Sequence, residues 1–328
     1  MKALVTGGGG FLGRAIVEML LGRGDQVRFM ARNHYPKIEA LGAEGIQGDI
    51  RDLDVVVNAC MGMDAVFHTA AKAGIWGDYH EYHEINVKGT QNVMTACQRR
   101  GVGRLVYTSS PSVVFNMMDE CGIDETAPYP EVWYNPYSET KAIGEKAVLL
   151  ASGKNGLLSC SLRPHLIWGP RDNHLIPRLI ERARKGILRK VGLGKNKVDL
   201  TYIDNAAMAH LLACDAMSST RVAGEAYFIS DDNPVVLWDW FDALFEHLAI
   251  PKVRKRVPAW MAYGVGYCLE QKHKLLKDRS EPLMTRFLAR ALTCSHYYNI
   301  GKAKRDFKYR PGISNKEGLR RTVEHFRT

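Results

Sequence analysis

Residues 3–16 read Ala-Leu-Val-Thr-Gly-Gly-Gly-Gly-Phe-Leu-Gly-Arg-Ala-Ile, and this stretch decides the fold. Leu4 and Val5 have the character of a buried strand, and the run Phe11–Leu21 turns helical as soon as the glycines stop. Between them the backbone must turn sharply and admit a close neighbour, which glycine does cheaply. The new helix opens with unpaired N–H groups at its positive dipole end, so an anion is expected there. A pyrophosphate is the expected guest. Gly8-x-Gly10-x-x-Gly13 has the spacing of a dinucleotide-binding turn, and Thr6-Gly7-x-x-Gly10-x-x-Gly13 shares its last two glycines. Any glycine-rich turn from strand to helix gives similar letters, so the rest of the chain must decide.

Strand and helix patterns alternate after it. Val27–Ala31, the stretch ending Gly45–Gly48, Ala65–His68, Arg104–Thr108 and Leu158–Arg163 read as strands. Tyr82–Arg99 and Tyr137–Leu150 read as helices between them. This alternation predicts an α/β fold, a Rossmann-type doubly wound parallel sheet. Beyond Pro164 the pattern loosens. Asn173–Arg189 is a basic amphipathic helix, and Asp199–Ile203 is a strand leading into the helix Asn205–Met217. Residues 1–165 are expected to form the dinucleotide-binding domain, rejoined by about 199–217, while 166–198 and 218–328 form a smaller, mostly helical substrate lobe.

The 328 residues are 46% hydrophobic and 24% charged, ordinary for a globular chain, and carry a formal charge of +10. That charge suits anionic partners such as phosphate-bearing cofactors, acidic substrates or an anionic membrane. The basic residues are spread out rather than gathered on a reading motif, so nucleic acid is not expected. Seven cysteines without a Cys-x-x-Cys pair point to reduced thiols and a cytoplasmic protein. Met1 and Lys2 run straight into the first strand, so no signal peptide is expected, and no apolar run is long enough to span a bilayer. Val257–Leu269, flanked by basic residues, reads as a core helix with solvated ends, or else as a contact for a membrane, an acyl substrate or an enzyme assembly. His80-Glu81-Tyr82-His83 has the wrong spacing for a zinc motif, and no metal is assigned.

A carboxylate about 20 residues past the glycines normally holds the adenine ribose of NAD(H). Here that position holds Ala31, followed by Arg32. Loss of the acid and gain of a guanidinium favour a 2′-phosphate, so NADP(H) is expected over NAD(H). Asp49 is placed to receive the adenine amino group, and His68-Thr69-Ala70-Ala71 offers small residues where pyrophosphate and ribose pass. Tyr137 and Lys141 stand at i and i+4 on one helical face. A neighbouring ammonium favours the phenolate and would make Tyr137 a competent proton donor for ketone reduction. The fifth strand ends in Thr108-Ser109-Ser110, where Ser110 is expected to hydrogen-bond a substrate carbonyl.

These stretches, with Asn86-Val87-Lys88-Gly89-Thr90 and Arg163-Pro164, resemble an extended short-chain dehydrogenase/reductase in the family's own order. The resemblance implies Ser110, Tyr137 and Lys141 as the catalytic set, with Ser109 or Ser112 as substitutes for Ser110. It implies contacts to the cofactor from Gly7, Gly10, Phe11, Leu12, Gly13, Asp49, Ile50, Ala70, Ala71, Lys72, Tyr137, Lys141 and Pro164, alongside Arg32. Asn86 is implied to support the active-site network, and a dimer is implied through the two helices Tyr82–Arg99 and Tyr137–Leu150. Leu162–Asp172 is similar to the 3β-hydroxysteroid dehydrogenase/isomerase branch. Within that branch the loops Ala70–Asp78, Tyr107–Phe115 and Arg163–Asn173 are similar to bacterial reductases of long-chain alkylated β-keto acids. A hydrophobic keto acid, or a sterol-like molecule, is the implied substrate. Nucleotide-sugar epimerases share the fold, but many carry an asparagine where Leu166 stands. Dehydratases need an Asp-Glu pair where this chain has Pro111 and Ser112. A non-enzymatic nucleotide sensor would often lack Tyr137 or Lys141.

Overall fold

In the computed structural model, which describes all residues but 219, 220 and 328, seven strands form one parallel sheet. We number them β1 (Lys2–Thr6), β2 (Gln26–Ala31), β3 (Glu44–Gln47), β4 (Ala65–His68), β5 (Arg104–Thr108), β6 (Leu158–Pro164) and β7 (Ala226–Ile229). Their spatial order is β7-β6-β5-β4-β1-β2-β3, so the connection reverses direction between β1 and β4. Ligands bind at such a reversal, beyond the C-terminal strand ends.

Side chains alternate across the sheet and fill a core on each face. Leu4, Val66 and Leu105 pack with Val93, Ala96 and Val148 on one side. Val5, Phe67 and Val106 pack with Ile16, Leu20 and Ala209 on the other. The helices Phe11–Gly22 and Ile203–Ala216 lie together on that second face. The helices Leu53–Ala59, Gly89–Arg100 and Pro136–Ala151 cover the first.

Several expectations change. β7 falls in the range assigned to the substrate lobe, yet it extends the dinucleotide-binding sheet by pairing in parallel with β6. Its four residues carry no alternation because both faces are buried. Residues 219, 220 and 328 of that assigned range lie outside the described residues. The expected single helix Tyr82–Arg99 is three pieces: an α-helix Tyr79–His83, a π-helical turn Glu84–Lys88, and an α-helix Gly89–Arg100. The basic helix expected over Asn173–Arg189 is shorter, Leu175–Arg184.

The second unit is built around a four-stranded sheet of short strands: Val235–Val236, Lys197–Val198, His296–Tyr298 and Glu120–Ile123. The last of these comes from the loop after β5, so the chain crosses between units early. The helix Ala259–Leu275 buries only Ala262, Gly266 and Glu270. It presents Trp260, Met261, Val265, Tyr267 and Leu275 outward, with Trp260 74% exposed. The core-helix reading of this segment is therefore corrected. No described helix is long and apolar enough to cross a membrane.

Candidate active site

Two cavities meet the C-terminal ends of the strands. The first surrounds the glycine turn. Gly7 sits at φ +71°, and a Cβ there would lie 2.8 Å from the Ala70 nitrogen. A Cβ on Gly13 would lie 2.2 Å from the Gly7 carbonyl oxygen, so the helix packs directly on the turn. Gly10 is the N-cap of Phe11–Gly22, with no side chain capping it and no acid in the first turn. The uncapped N–H groups make an anion seat.

The groove above encloses about 490 Å³ and is lined by Gly7, Gly10, Arg32, Asp49, Ile50, Ala71 and Lys72 of the expected set. Tyr35, Asn173 and His174 also line it, and sequence reasoning gave none of them a cofactor role. The groove and the uncapped helix suit a dinucleotide. Some expected residues stand elsewhere. Leu12 is buried, and it and Phe11 turn their side chains into the core, so only their backbone can face a phosphate. Ala70 lies against Gly7 rather than among the groove-lining residues. Pro164 is buried at the end of β6 opposite Ile229 and lines neither cavity.

Asp49 is engaged already. Arg51 donates to it from its backbone N–H at 2.9 Å and from Nε and Nη2 at 3.0 and 2.7 Å. This clamp, with Arg32 nearby, holds the carboxyl below its ordinary pKa. Arg51 was legible only as one more basic residue.

Tyr137 and Ser110 share the second cavity, of about 270 Å³. Ser110 Oγ accepts from the Ser112 N–H at 3.2 Å and from Ser112 Oγ–H at 3.0 Å. Ser112 also lines this cavity, whereas Ser109 is buried behind it with its N–H on the Leu162 carbonyl at 2.6 Å. Ser109 is therefore removed from the choice.

The expected action of Lys141 on Tyr137 is not seen. Burial raises the phenol pKa, opposed by a hydrogen bond with Ser110. The Lys141 ammonium instead donates to the Thr108 carbonyl at 2.6 Å and lies 3.9 Å from the Tyr107 ring centroid. It is itself 2% exposed, and burial lowers its pKa to about 7. Desolvation outweighs the lysine–tyrosine proximity that the i, i+4 spacing suggests.

Other motif residues act as pins. His68 bridges Thr6 Oγ1 at 2.7 Å and Thr90 Oγ1 at 3.0 Å, and burial pushes its pKa down to about 3, keeping it neutral. Asn86, inside the π-helical turn, accepts from the Lys72 N–H at 2.8 Å and donates to Thr140 Oγ1 at 3.0 Å. It thereby ties the groove to the helix carrying Tyr137 and Lys141. Such π turns recur at functional sites.

The second cavity is walled by Ile75, Phe115, Leu166, Leu175, Leu200, Leu237, Phe241, Phe287, Leu288 and Leu292. Leu166 is held at φ +39°, a costly setting for a side-chain-bearing residue and one that functional sites retain. Among the described residues, no Lys, Arg, Asp or Glu lines this cavity. Among the described residues, no group of three His, Cys, Asp or Glu side chains could hold a metal ion.

Comparison with known proteins agrees with this geometry. Residues 4–258 match the 3-beta hydroxysteroid dehydrogenase/isomerase family. The chain is 49% identical over 325 residues to a 2-alkyl-3-oxoalkanoate reductase of Stenotrophomonas maltophilia, covering 98% of each. It is 33% identical to the decarboxylating sterol-4-alpha-carboxylate 3-dehydrogenase of Mus musculus, covering 99% of this chain and 91% of that one. Among solved structures, that of gox2253 matches with a TM-score of 0.79 and 26% identity over 99% of this chain and 97% of that one. The dTDP-glucose 4,6-dehydratase DesIV of Streptomyces venezuelae, solved with NAD bound, matches with a TM-score of 0.77 and 25% identity over 100% and 97%. The chain belongs to the 3-beta hydroxysteroid dehydrogenase/isomerase family of extended short-chain dehydrogenases/reductases and is an NAD(P)-dependent, ketone-reducing oxidoreductase.

Proposed function

We propose that the protein uses NADPH to reduce a 3-oxo acid bearing long alkyl chains, a 2-alkyl-3-oxoalkanoate, to the 3-hydroxy acid. The observation that carries this reading is the setting of Ser110 and Tyr137 in a cavity whose walls are apolar. A nucleotide sugar carries more hydroxyl and diphosphate oxygens than the few polar side chains of this cavity can pair, at a cost of about 1–3 kcal/mol for each group left unpaired. An alkyl chain gains up to about 0.8 kcal/mol per buried methylene. The bacterial relatives named for 2-alkyl-3-oxoalkanoates support the choice of acid.

When bound, a reduced nicotinamide dinucleotide supplies the hydride. The residues of the chain do the rest. The Ser110 hydroxyl donates a hydrogen bond to the substrate carbonyl oxygen and orients it. Tyr137, kept protonated by its raised pKa, gives that oxygen its proton. Lys141, whose ammonium donates to the Thr108 carbonyl at the end of β5, supplies positive charge next to the reacting centre and would hold the nicotinamide ribose. Arg32, beside Ala31 in the groove, binds the 2′-phosphate that selects NADP(H).

A 3β-hydroxysterol is the second reading, favoured by the same apolar walls and by the sterol dehydrogenase relative. NADPH oxidation with freshly prepared 3-oxo acids of increasing length, a 3-oxosterol and a nucleotide-linked 4-keto sugar separates the readings. Efficiency should climb with acid chain length until the cavity fills. A flat response, or preference for the sugar, rejects the proposed substrate.

A further inference from the structure

Two histidines from distant parts of the chain meet at the wall of the substrate cavity. His165 Nε2 and His296 Nδ1 are 2.6 Å apart, and both residues line the cavity with Ser110 and Tyr137. His165 follows the end of β6. The register pairs Thr108 with Leu162, so Ser110 and His165 leave adjoining strand ends. Neighbouring strands lie about 4.8 Å apart, which brings the His165 ring within reach of a group next to the reacting carbonyl. The backbone holds it there. Its N–H donates to the Ile229 carbonyl at 3.1 Å, and its carbonyl accepts from Thr201 Oγ1 at 2.6 Å.

We propose that the His165–His296 pair is the receptor for the substrate carboxylate, and that it takes up one proton as the acid binds. The inference rests on the oxo-acid reading above. In a 2-alkyl-3-oxo acid the carboxylate is bonded to the carbon beside the ketone. Since no lysine or arginine among the described residues lines the cavity, these rings are the described lining groups able to carry positive charge there.

The hydrogen bonds set the proton count. His296 Nε2 faces the Ala291 carbonyl at 2.8 Å, and a carbonyl only accepts, so this nitrogen carries a proton. In the neutral pair His296 Nδ1 is therefore bare and accepts from His165 Nε2–H. His165 Nδ1 is then unprotonated and offers a carboxylate only a lone pair. One added proton reverses this: Nδ1–H donates to the carboxylate, and the charge is shared along the pair. Burial and the neighbouring ring hold His165 well below its ordinary pKa, so the free protein keeps the pair neutral near pH 7.

Other titrating groups surround it. Tyr298 packs edge-on to His165 at 5.3 Å, its hydroxyl donates to Glu120, and its N–H donates to Asp199. Burial raises both acids to about 7. Tyr137 faces the same cavity, and Lys141 titrates near it. A comparison of two substrates that differ only in the carboxylate cancels these shared effects.

The experiment measures NADP⁺-dependent oxidation of a 2-alkyl-3-hydroxy acid and of the matching secondary alcohol without the carboxylate, both chemically stable. The wild type should prefer the acid, and the ratio of the two kcat/KM values should fall by about tenfold per pH unit between pH 6 and 8, as one linked proton requires. In His165→Gln that ratio should drop by about 10- to 100-fold, the worth of a charge-assisted hydrogen bond. A ratio independent of pH in the wild type overturns the proposal without any variant. Equal losses on acid and alcohol in His165→Gln also overturn it and leave the histidine a packing role. Wild-type activity on neither compound rejects the oxo-acid function itself, and the carboxylate assignment with it.

Discussion

The Arg163 guanidinium meets the Glu145 carboxylate at 2.6 Å in the interior, with side chains 3% and 0% exposed. Tyr129 and Ser161 donate to the same carboxylate at 2.7 Å each. The pair ties β6 to the helix that carries Tyr137 and Lys141, so it couples the sheet to the catalytic face.

Breaking this pair should destabilise the protein severely. Glu145→Gln leaves a buried guanidinium without its counter-charge, at a cost of about 3–5 kcal/mol. The Glu145 carboxyl is held below its ordinary pKa, chiefly by Arg163 against the opposing effect of burial. Its contribution is therefore present above the unfolded pKa near 4.5 and is lost as pH falls through the lower folded value. Denaturant melts from pH 7 to pH 3 should show the gap between wild type and Glu145→Gln closing in acid. A gap that stays constant would mean that the charge itself contributes little.

Tyr137→Phe deletes the hydroxyl that shares the cavity with Ser110 and keeps the ring. Turnover should fall by roughly 10²–10⁴, the usual worth of a positioned acid. Cofactor affinity should change little, since Tyr137 does not line the dinucleotide groove. Single-turnover rates and NADPH fluorescence titration separate the two effects. Near-normal turnover removes this residue from the mechanism.

Arg32→Leu should weaken NADPH binding by about 1.5–3 kcal/mol while leaving NADH nearly unchanged. Ala31→Asp added to it should improve NADH by restoring a ribose-binding carboxylate. Binding titrations with both cofactors check this. A wild type that strongly prefers NADH makes Arg32 an ordinary surface charge.

Much of this was legible in the sequence because it depends on local pattern. The glycine turn, the first strands and the Tyr137–Lys141 spacing are set by neighbours in the chain. What was not legible depends on contacts far apart in sequence. His165 and His296 are 131 positions apart, and nothing local marks them as partners. β7 carried no alternation, and the partner of Arg163 emerged only once the sheet and helix had packed. The Lys141 side chain makes the same point at closer range. Its spacing from Tyr137 was correct, but burial, which spacing does not report, decided its charge state.

That burial predicts a trade between stability and activity. Lys141 titrates at about 7 in the folded protein, against about 10.4 in an unfolded chain. Between these values the unfolded chain binds more protons, so the protein gains stability as pH rises through the window. Below pH 7 the full desolvation cost is present, partly offset by the Thr108 carbonyl and the Tyr107 ring. Lys141→Met keeps the length of the side chain and removes the charge. It should stabilise the cofactor-free protein at pH 6.5 by on the order of 1–3 kcal/mol, with a gain that shrinks toward pH 10, and should abolish most activity. Thermal melts at pH 6.5 and pH 9.5 measure the difference. If the variant is less stable at pH 6.5, the hydrogen bond to Thr108 outweighs the cost of burying the ammonium, and the charge is a structural asset rather than a catalytic expense.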